Sequence, residues 1–297
     1  MFFSPTLGRK TVELGSRTLS RFGVEDYKIY LVIRDHEITY QALCLVFYFY
    51  LETCPDNVAF CYNMNMQNFH YHFLKTNNEL ALIADDLRKI FDSTLEKVVS
   101  LTEEVETDIV VRHSPQGVIL ELGISGQYTN DARCIDVYLD LGNTHLKDHL
   151  ETEVARTLIH EYMHVVREQY IPWENGTLLD SLIAEGLTQS FEIEVQPDLP
   201  PSIYANALTD AELVDLWSTA KAKLNQRGCL NDEWFFGGEN IKRWSGYSLG
   251  FKLVQDKIRE SRLKASELYK LSSNDFLPPR FVYSYRQSLG AFCNIQR

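Results

Sequence analysis

Positive charge is scarce in this chain. Its 29 lysines and arginines face 41 acids, a formal net charge of −12 over 297 residues. Such a balance repels phosphate backbones, and no Lys/Arg stripe interrupts it, which excludes a nucleic-acid partner. Long apolar runs are missing as well. The longest, Ala42 to Leu51, covers about ten residues where a membrane span needs ~20, so no span is expected. The six cysteines (Cys44, Cys54, Cys61, Cys134, Cys229 and Cys293) form no C-x-x-C pair. A chain this long has core enough without disulfide staples, so reduced thiols and a cytoplasmic setting are expected. The first ten residues lack the basic start and apolar core of a secretory signal. Repeats and low-complexity tracts are absent.

Against these absences stands His160-Glu161-Tyr162-Met163-His164, an H-E-x-x-H signature. Histidines four apart on a helix lie one turn above each other, so both rings reach one ion. The glutamate between them then sits beside the ion's open position, where a general base is needed. The surrounding sequence reads as a helix from about Asp148 to Tyr170. Apolar residues at Val154, Leu158, Ile159, Tyr162, Met163, Val165 and Val166 cover most of its circumference. The remaining stripe is polar: Thr157, His160, Glu161, His164 and Glu168. A surface-facing stripe on an ordinary amphipathic helix is the plainer alternative. Burial of the rest of the helix argues for polar groups that partner one another or a metal.

A zinc site needs a third protein ligand and one open position. The chain breaks at Ile171-Pro172-Trp173-Glu174-Asn175-Gly176, then resumes with Thr177 as N-cap and Asp180 in capping-box register. From Leu178 to about Glu194 a second buried helix carries the polar stripe Ser181, Glu185, Gln189 and Glu192. After the reversal, Glu185 falls beside the two histidines and is the expected third ligand. Cys134 and Cys229 are its rivals, since His-His-Cys zinc sites exist.

The twenty residues between His164 and Glu185 resemble the spacing of gluzincin metallopeptidases. The resemblance narrows with Leu182-Ile183-Ala184-Glu185-Gly186-Leu187, Trp244-Ser245-Gly246-Tyr247-Ser248-Leu249-Gly250 and Leu268-Tyr269-Lys270-Leu271-Ser272. Together these look like a bacterial family of predicted zinc-dependent proteases catalogued as a domain of unknown function, over residues 100–276. It implies a zincin-like α+β fold: a small mixed sheet and motif helix in an upper lobe, and a helical lower lobe. Thermolysin-like gluzincins carry an aspartate four residues after the ligand glutamate to orient the first histidine. Here that position is Gln189, whose amide adds no negative charge; Asp180 or Glu192 are alternatives for the role.

The expected division is residues 1–75, aromatic-rich and of no assigned role, and residues 76–297, the metallopeptidase domain. Within the first, His70 and His72 share one face of Phe69–Phe73 if it is a strand, where aromatic packing is the expected use. In the second, a helix over Asn77–Glu104 precedes strands at Asp108–Arg112, Val118–Gly123 and Cys134–Leu141, with turns at Ser114–Gly117 and Gly126–Asp131. Either of the last two strands is a candidate edge for pairing with an extended peptide. Helices are expected again at Asp210–Asn225 and Trp244–Arg259.

The chemistry expected is hydrolysis of a peptide bond in a peptide or protein substrate. Zn²⁺ on His160, His164 and Glu185 activates a water, Glu161 is the general base, and Tyr247 is the candidate donor to the developing oxyanion. His145 and His149 are weaker candidates for that last role. The alternatives are a non-peptide amide or ester substrate, and an inactive zincin kept as a zinc-bound binding or regulatory module. An intact Glu161 speaks against the second.

Overall fold

The computed structural model describes residues 10–13, 29–33, 48–49, 68–75, 78–172, 176–227 and 232–277. The chain divides into two compact units, Met1–Asn65 and Met66–Arg297. In the first, β1 (Lys10–Glu13), β2 (Ile29–Ile33) and β3 (Tyr48–Phe49) form an antiparallel sheet in that order. Most of the apolar run Ala42–Leu51, and Cys44, Cys54, Cys61, Cys229 and Cys293, lie outside the described residues.

The second unit is a mixed α+β structure with a four-stranded sheet and, among the described residues, eight helices. Strand β4 (Phe69–Phe73) belongs to this sheet, so the unit begins some residues before the expected boundary at 75. It is parallel to β5 (Thr107–His113), and helix α1 (Asn78–Val99) makes the connection between them. Leu80, Leu87, Phe91, Leu95 and Val98 recur at helical spacing and are fully buried, fixing the inner face of α1. Burial along β5 alternates, with Thr107, Ile109 and Val111 inside, as a half-covered sheet requires.

β7 (Cys134–Leu139) is inserted between β5 and the edge strand β6 (Ile124–Thr129), with which it pairs antiparallel. The expected strand at Val118–Gly123 is a turn joined by one bridge, Ile119 to Ile124, and most of the stretch expected as a turn, Gly126–Thr129, lies in the strand, with Asn130 and Asp131 turning as expected. Two glycines explain the displacement. Gly123 takes φ +72°, which ends the turn. Gly126 sits mid-strand for a packing reason: a Cβ there would lie 2.4 Å from Glu161 Cγ. Cys134–Leu139 is therefore interior to the sheet, and β6 is the edge.

A short helix α2 (Thr144–Asp148), capped by Asn143, leads into the motif helix α3 (Leu150–Glu168). Fourteen of its nineteen residues are buried, charged ones included. The capping box at Thr177 and Asp180 opens α4 (Leu178–Val195), and a second box at Thr209 and Glu212 opens α5 (Asp210–Ala220). After α6 (Asp232–Phe236) comes α7 (Ser245–Ser261), which crosses α4 where both helices present glycine. A Cβ on Gly250 would meet the Leu182 carbonyl oxygen at 2.0 Å, and one on Gly186 would meet the Gly250 oxygen at 2.2 Å. No side chain fits between these backbones. The short α8 (Ala265–Leu268) follows. Arg167 on α3 then donates to the Tyr269 and Leu271 carbonyls (2.8 and 3.3 Å) and to Ser273 Oγ (3.1 Å), pinning the last described segment to the motif helix. Among the described residues no helix is long and apolar enough to cross a membrane.

The glycine crossing yields a direct expectation. Gly250→Ala places its methyl against backbone that cannot retreat cheaply, so urea denaturation should show a loss of about 3 kcal/mol. A loss below ~0.5 kcal/mol, the range of an uneventful surface change, would show that α4 and α7 do not cross this closely.

Candidate metal site

Helix α3 turns His160 and His164 towards α4, with ring centroids 5.1 Å apart. Across from them, Glu185 places Oε2 3.2 Å from His160 Nε2 and Oε1 3.6 Å from His164 Nε2. Ligand atoms arranged tetrahedrally at zinc's usual ~2.0–2.1 Å lie about 3.3 Å from one another, so these separations suit one small ion. Among the described residues this trio is the one group of three with metal-ligand spacing. Cys134 is a free, half-buried thiol on β7 and is not part of it.

The orientation of His160 is fixed from behind. Its Nδ1 lies 2.7 Å from Glu192 Oε1, which leaves Nε2 towards Glu185. Glu192 is held in turn by Tyr204 Oη (3.4 Å) and by Arg156, whose Nε is 3.8 Å away and whose Nη2 donates to the Pro200 carbonyl. Gln189 does not reach the histidines. Its amide nitrogen donates to the Glu185 and Tyr247 carbonyls (2.9 and 3.2 Å), a link between α4 and α7. Asp180 stays at the head of α4, accepting from the Thr177 backbone N–H at 2.8 Å. Both residues had been candidates for orienting a histidine; Glu192, seven residues beyond Glu185 on the same stripe, occupies that place.

Glu161 packs under β6 against Gly126, and a backbone hydrogen bond from Tyr128 reaches its carboxylate. Burial raises its pKa to about 7, with Glu185 adding to the effect and His160 opposing it. Burial lowers His164 to about 4, so its ring is neutral and available as a ligand at ordinary pH. For His160 burial acts in the same direction, but the hydrogen bonds to Glu185 and Glu192 outweigh it and hold the pKa well above the usual value. Glu185 is pushed up by burial and drawn down further by His164 and His160, ending below the ordinary carboxylate range.

Tyr247 lies in the first turn of α7 with its ring 4.9 Å from Tyr204 and 5.0 Å from Phe235. Burial, then the charges of Glu185 and Glu161, raise its pKa well above 10, so the phenol keeps its proton. Tyr204 stands edge-on to His160 at 6.1 Å and completes an aromatic wall with Tyr247 and Trp244. His145 is instead paired with buried Glu153 (3.1 Å), two helical turns before His160, and its ring lies tilted against that of His149 (4.6 Å). His70 and His72 pair with Glu106 and Asp108 on the exposed face of β4 and β5. Sequence reasoning missed Tyr204 and Arg156. Tyr204 follows a proline-rich loop where periodicity carries no signal, whereas Arg156 was readable, one turn before His160 on the same face.

Fold and site together define an α+β protein with a buried two-histidine, one-glutamate centre of metal-ligand spacing. Residues 87–278 match the model of a family described as a predicted Zn-dependent protease (DUF2268). The chain belongs to that family. No curated protein and no solved structure matches it.

The raised pKa of Glu161 carries a stability cost with a defined sign. A buried carboxylate with a pKa of about 7 binds its proton more tightly folded than unfolded, so the cost is absent below about pH 4.5 and complete above about pH 7. Glu161→Gln should therefore stabilise the metal-free protein by roughly 2–3 kcal/mol at pH 8 and by little at pH 4.5. Equal effects in denaturant melts at both values would show that the carboxylate is not strained by burial.

Proposed function

We propose that this protein is a zinc-dependent metallopeptidase of zincin type, acting on an extended peptide or protein segment in the cytoplasm. The observation that carries the reading is the spacing of His160 Nε2, His164 Nε2 and the Glu185 carboxylate around one point, with the Glu161 carboxylate adjacent under a sheet edge. Zinc held by those three residues would supply Lewis acidity to the scissile carbonyl and bring the pKa of a water in the fourth position towards ~7.

The chain's own groups supply the rest. Glu161 takes the proton of the attacking water and passes it to the leaving amine nitrogen, a task suited to a carboxylate whose pKa lies near 7. Tyr247 donates its phenolic hydrogen to the oxygen that gains charge as the carbonyl carbon becomes tetrahedral. Glu192 accepts the Nδ1 proton of His160 and so keeps Nε2 as the ligand atom, the role given to aspartate in other gluzincins. Among the described residues β6 pairs from Ser125 onward with β7 on its inner side alone, leaving an outer row of backbone groups to align a substrate strand over Glu161. Cysteines without paired spacing suit a reducing cytoplasm.

Three variants separate the roles. Glu161→Gln keeps one zinc per chain and loses hydrolysis of a peptide mixture by at least 10²-fold, measured by mass spectrometry of the products. Glu185→Ala loses zinc on dialysis against a chelator that leaves the wild type loaded. Glu192→Ala weakens zinc binding 10- to 100-fold in competition titrations. Undiminished hydrolysis by Glu161→Gln would remove that residue as the base, and full zinc retention by Glu185→Ala would move the third ligand elsewhere.

A further inference from the structure

Arg243 and Glu121 meet across the two halves of the site. Glu121 lies in the turn that closes at Gly123 and feeds β6, and Arg243 immediately precedes Trp244, the left-handed residue (φ 70°) that starts α7. The two are 122 residues apart in sequence, yet Nη1 reaches Oε1 at 2.8 Å and Nη2 reaches Oε2 at 3.4 Å. This is the fork-to-fork arrangement by which a guanidinium recognises a carboxylate. Both side chains are nearly half exposed, 45% and 46%, so the pair faces solvent. An exposed pair of this kind contributes only about 0–1 kcal/mol and exchanges partners easily.

The guanidinium is better fixed than an ordinary surface arginine. It stacks on the Trp244 ring at 4.1 Å, Trp244 packs against Tyr204, and Tyr204 stands on His160. Its charge also acts on the Tyr247 phenol. The carboxylates at the chemistry are Glu161, Glu185 and Glu192, and Arg156 is buried against Glu192. Arg243 differs in being half exposed, a positive fork linked to the site through Trp244 and Tyr204.

Its place along the sheet edge gives it a direction. Glu161 lies at Gly126–Tyr128, and the Glu121–Arg243 pair lies beyond the other end of the strand, past Ile124. A peptide pairs with an edge strand somewhat more stably in the antiparallel sense. Lying so along β6, it points its C-terminal side towards Arg243. A carboxylate already sits there, on Glu121.

We propose that Arg243 is a specificity residue that binds a carboxylate on the C-terminal side of the scissile bond, with Glu121 holding that place in the structure. The inference rests on the peptidase reading. The carboxylate is either the free C-terminus of a short peptide or an Asp/Glu side chain a few residues beyond the cut, and one chemistry serves both.

The test uses the full-length, zinc-loaded protein and peptides that the wild type cleaves. Each is made as the free acid, as the C-terminal amide, and as an amide with glutamate in place of the last residue. The expected result is a wild-type kcat/KM at least tenfold higher on the free acid or the glutamate peptide than on the plain amide. Whichever of the two is preferred identifies the source of the carboxylate. Arg243→Ala should shrink that ratio about tenfold, and Glu121→Gln, which frees the arginine, should enlarge it a few-fold. Cleavage without any carboxylate preference, or a ratio unmoved in Arg243→Ala protein with a wild-type melting temperature, would overturn the proposal. Binding separates this outcome from failure of the peptidase reading. Zinc-loaded Glu161→Gln, offered a mixture of four- to eight-residue peptides as acids and amides, should retain the acids selectively by affinity selection and mass spectrometry. Selective retention without any wild-type cleavage would sink the peptidase reading alone. Equal retention of acids and amides would sink the role of Arg243.

Discussion

Three carboxylates, Glu161, Glu185 and Glu192, lie with two imidazoles inside a core built from leucine, isoleucine, valine and aromatic rings, and the structure is organised around that concentration of charge. Removing one ionised group from water costs several kcal/mol unless partners make up the loss. Arg156 lies near Glu192, and the Tyr128 amide reaches Glu161, whereas among the described residues the Glu185 carboxylate pairs with the two histidines, one at each oxygen. A divalent cation between these atoms would satisfy the acid and both rings together. The same burial that makes the cluster expensive without metal raises the proton affinity of Glu161 into the range of a general base and keeps His164 unprotonated, as the proposed chemistry requires.

The surrounding elements act as a frame that stops the cluster from relaxing. Helix α4 carries Glu185 and Glu192 and is held on several sides. It packs against α3, meets α7 at backbone contact through Gly186 and Gly250, and is tied to α7 again by Gln189. Arg167 locks the end of the described chain onto α3 by three hydrogen bonds from its two terminal nitrogens to three residues. The segments 182–187, 244–250 and 268–272, which carried the family resemblance, are thus the pieces that fix α4 relative to the histidines. Only the first contains a proposed ligand. The other two position it.

Much of this was readable in the sequence. The H-E-x-x-H spacing, the polar stripe of α4 and the capping box at Thr177 mark two helices and a candidate ligand trio, because helical periodicity and capping are local properties. What escaped depends on contacts distant in sequence. Gly126 reads as a turn residue, yet it lies in a strand because Glu161 needs the space of its missing side chain, and with it the strand expected at Val118–Gly123 moves to Ile124–Thr129. The partner of His160 Nδ1 was one acid among several on a stripe; the relative rotation of α3 and α4 sets it as Glu192. Tyr204 and the Glu121–Arg243 pair come from loops with no period to read.

If His160, His164 and Glu185 surround one zinc ion with an open position, zinc analysis of the purified full-length protein, joined to X-ray absorption at the zinc edge, should find one zinc per chain. Its neighbours should be nitrogen and oxygen alone at ~2.0–2.2 Å, with two imidazole scattering patterns and no sulfur. A sulfur shell at ~2.3 Å would put a cysteine in the place of Glu185, and a protein that takes up no zinc when supplied with it would rule out the site altogether.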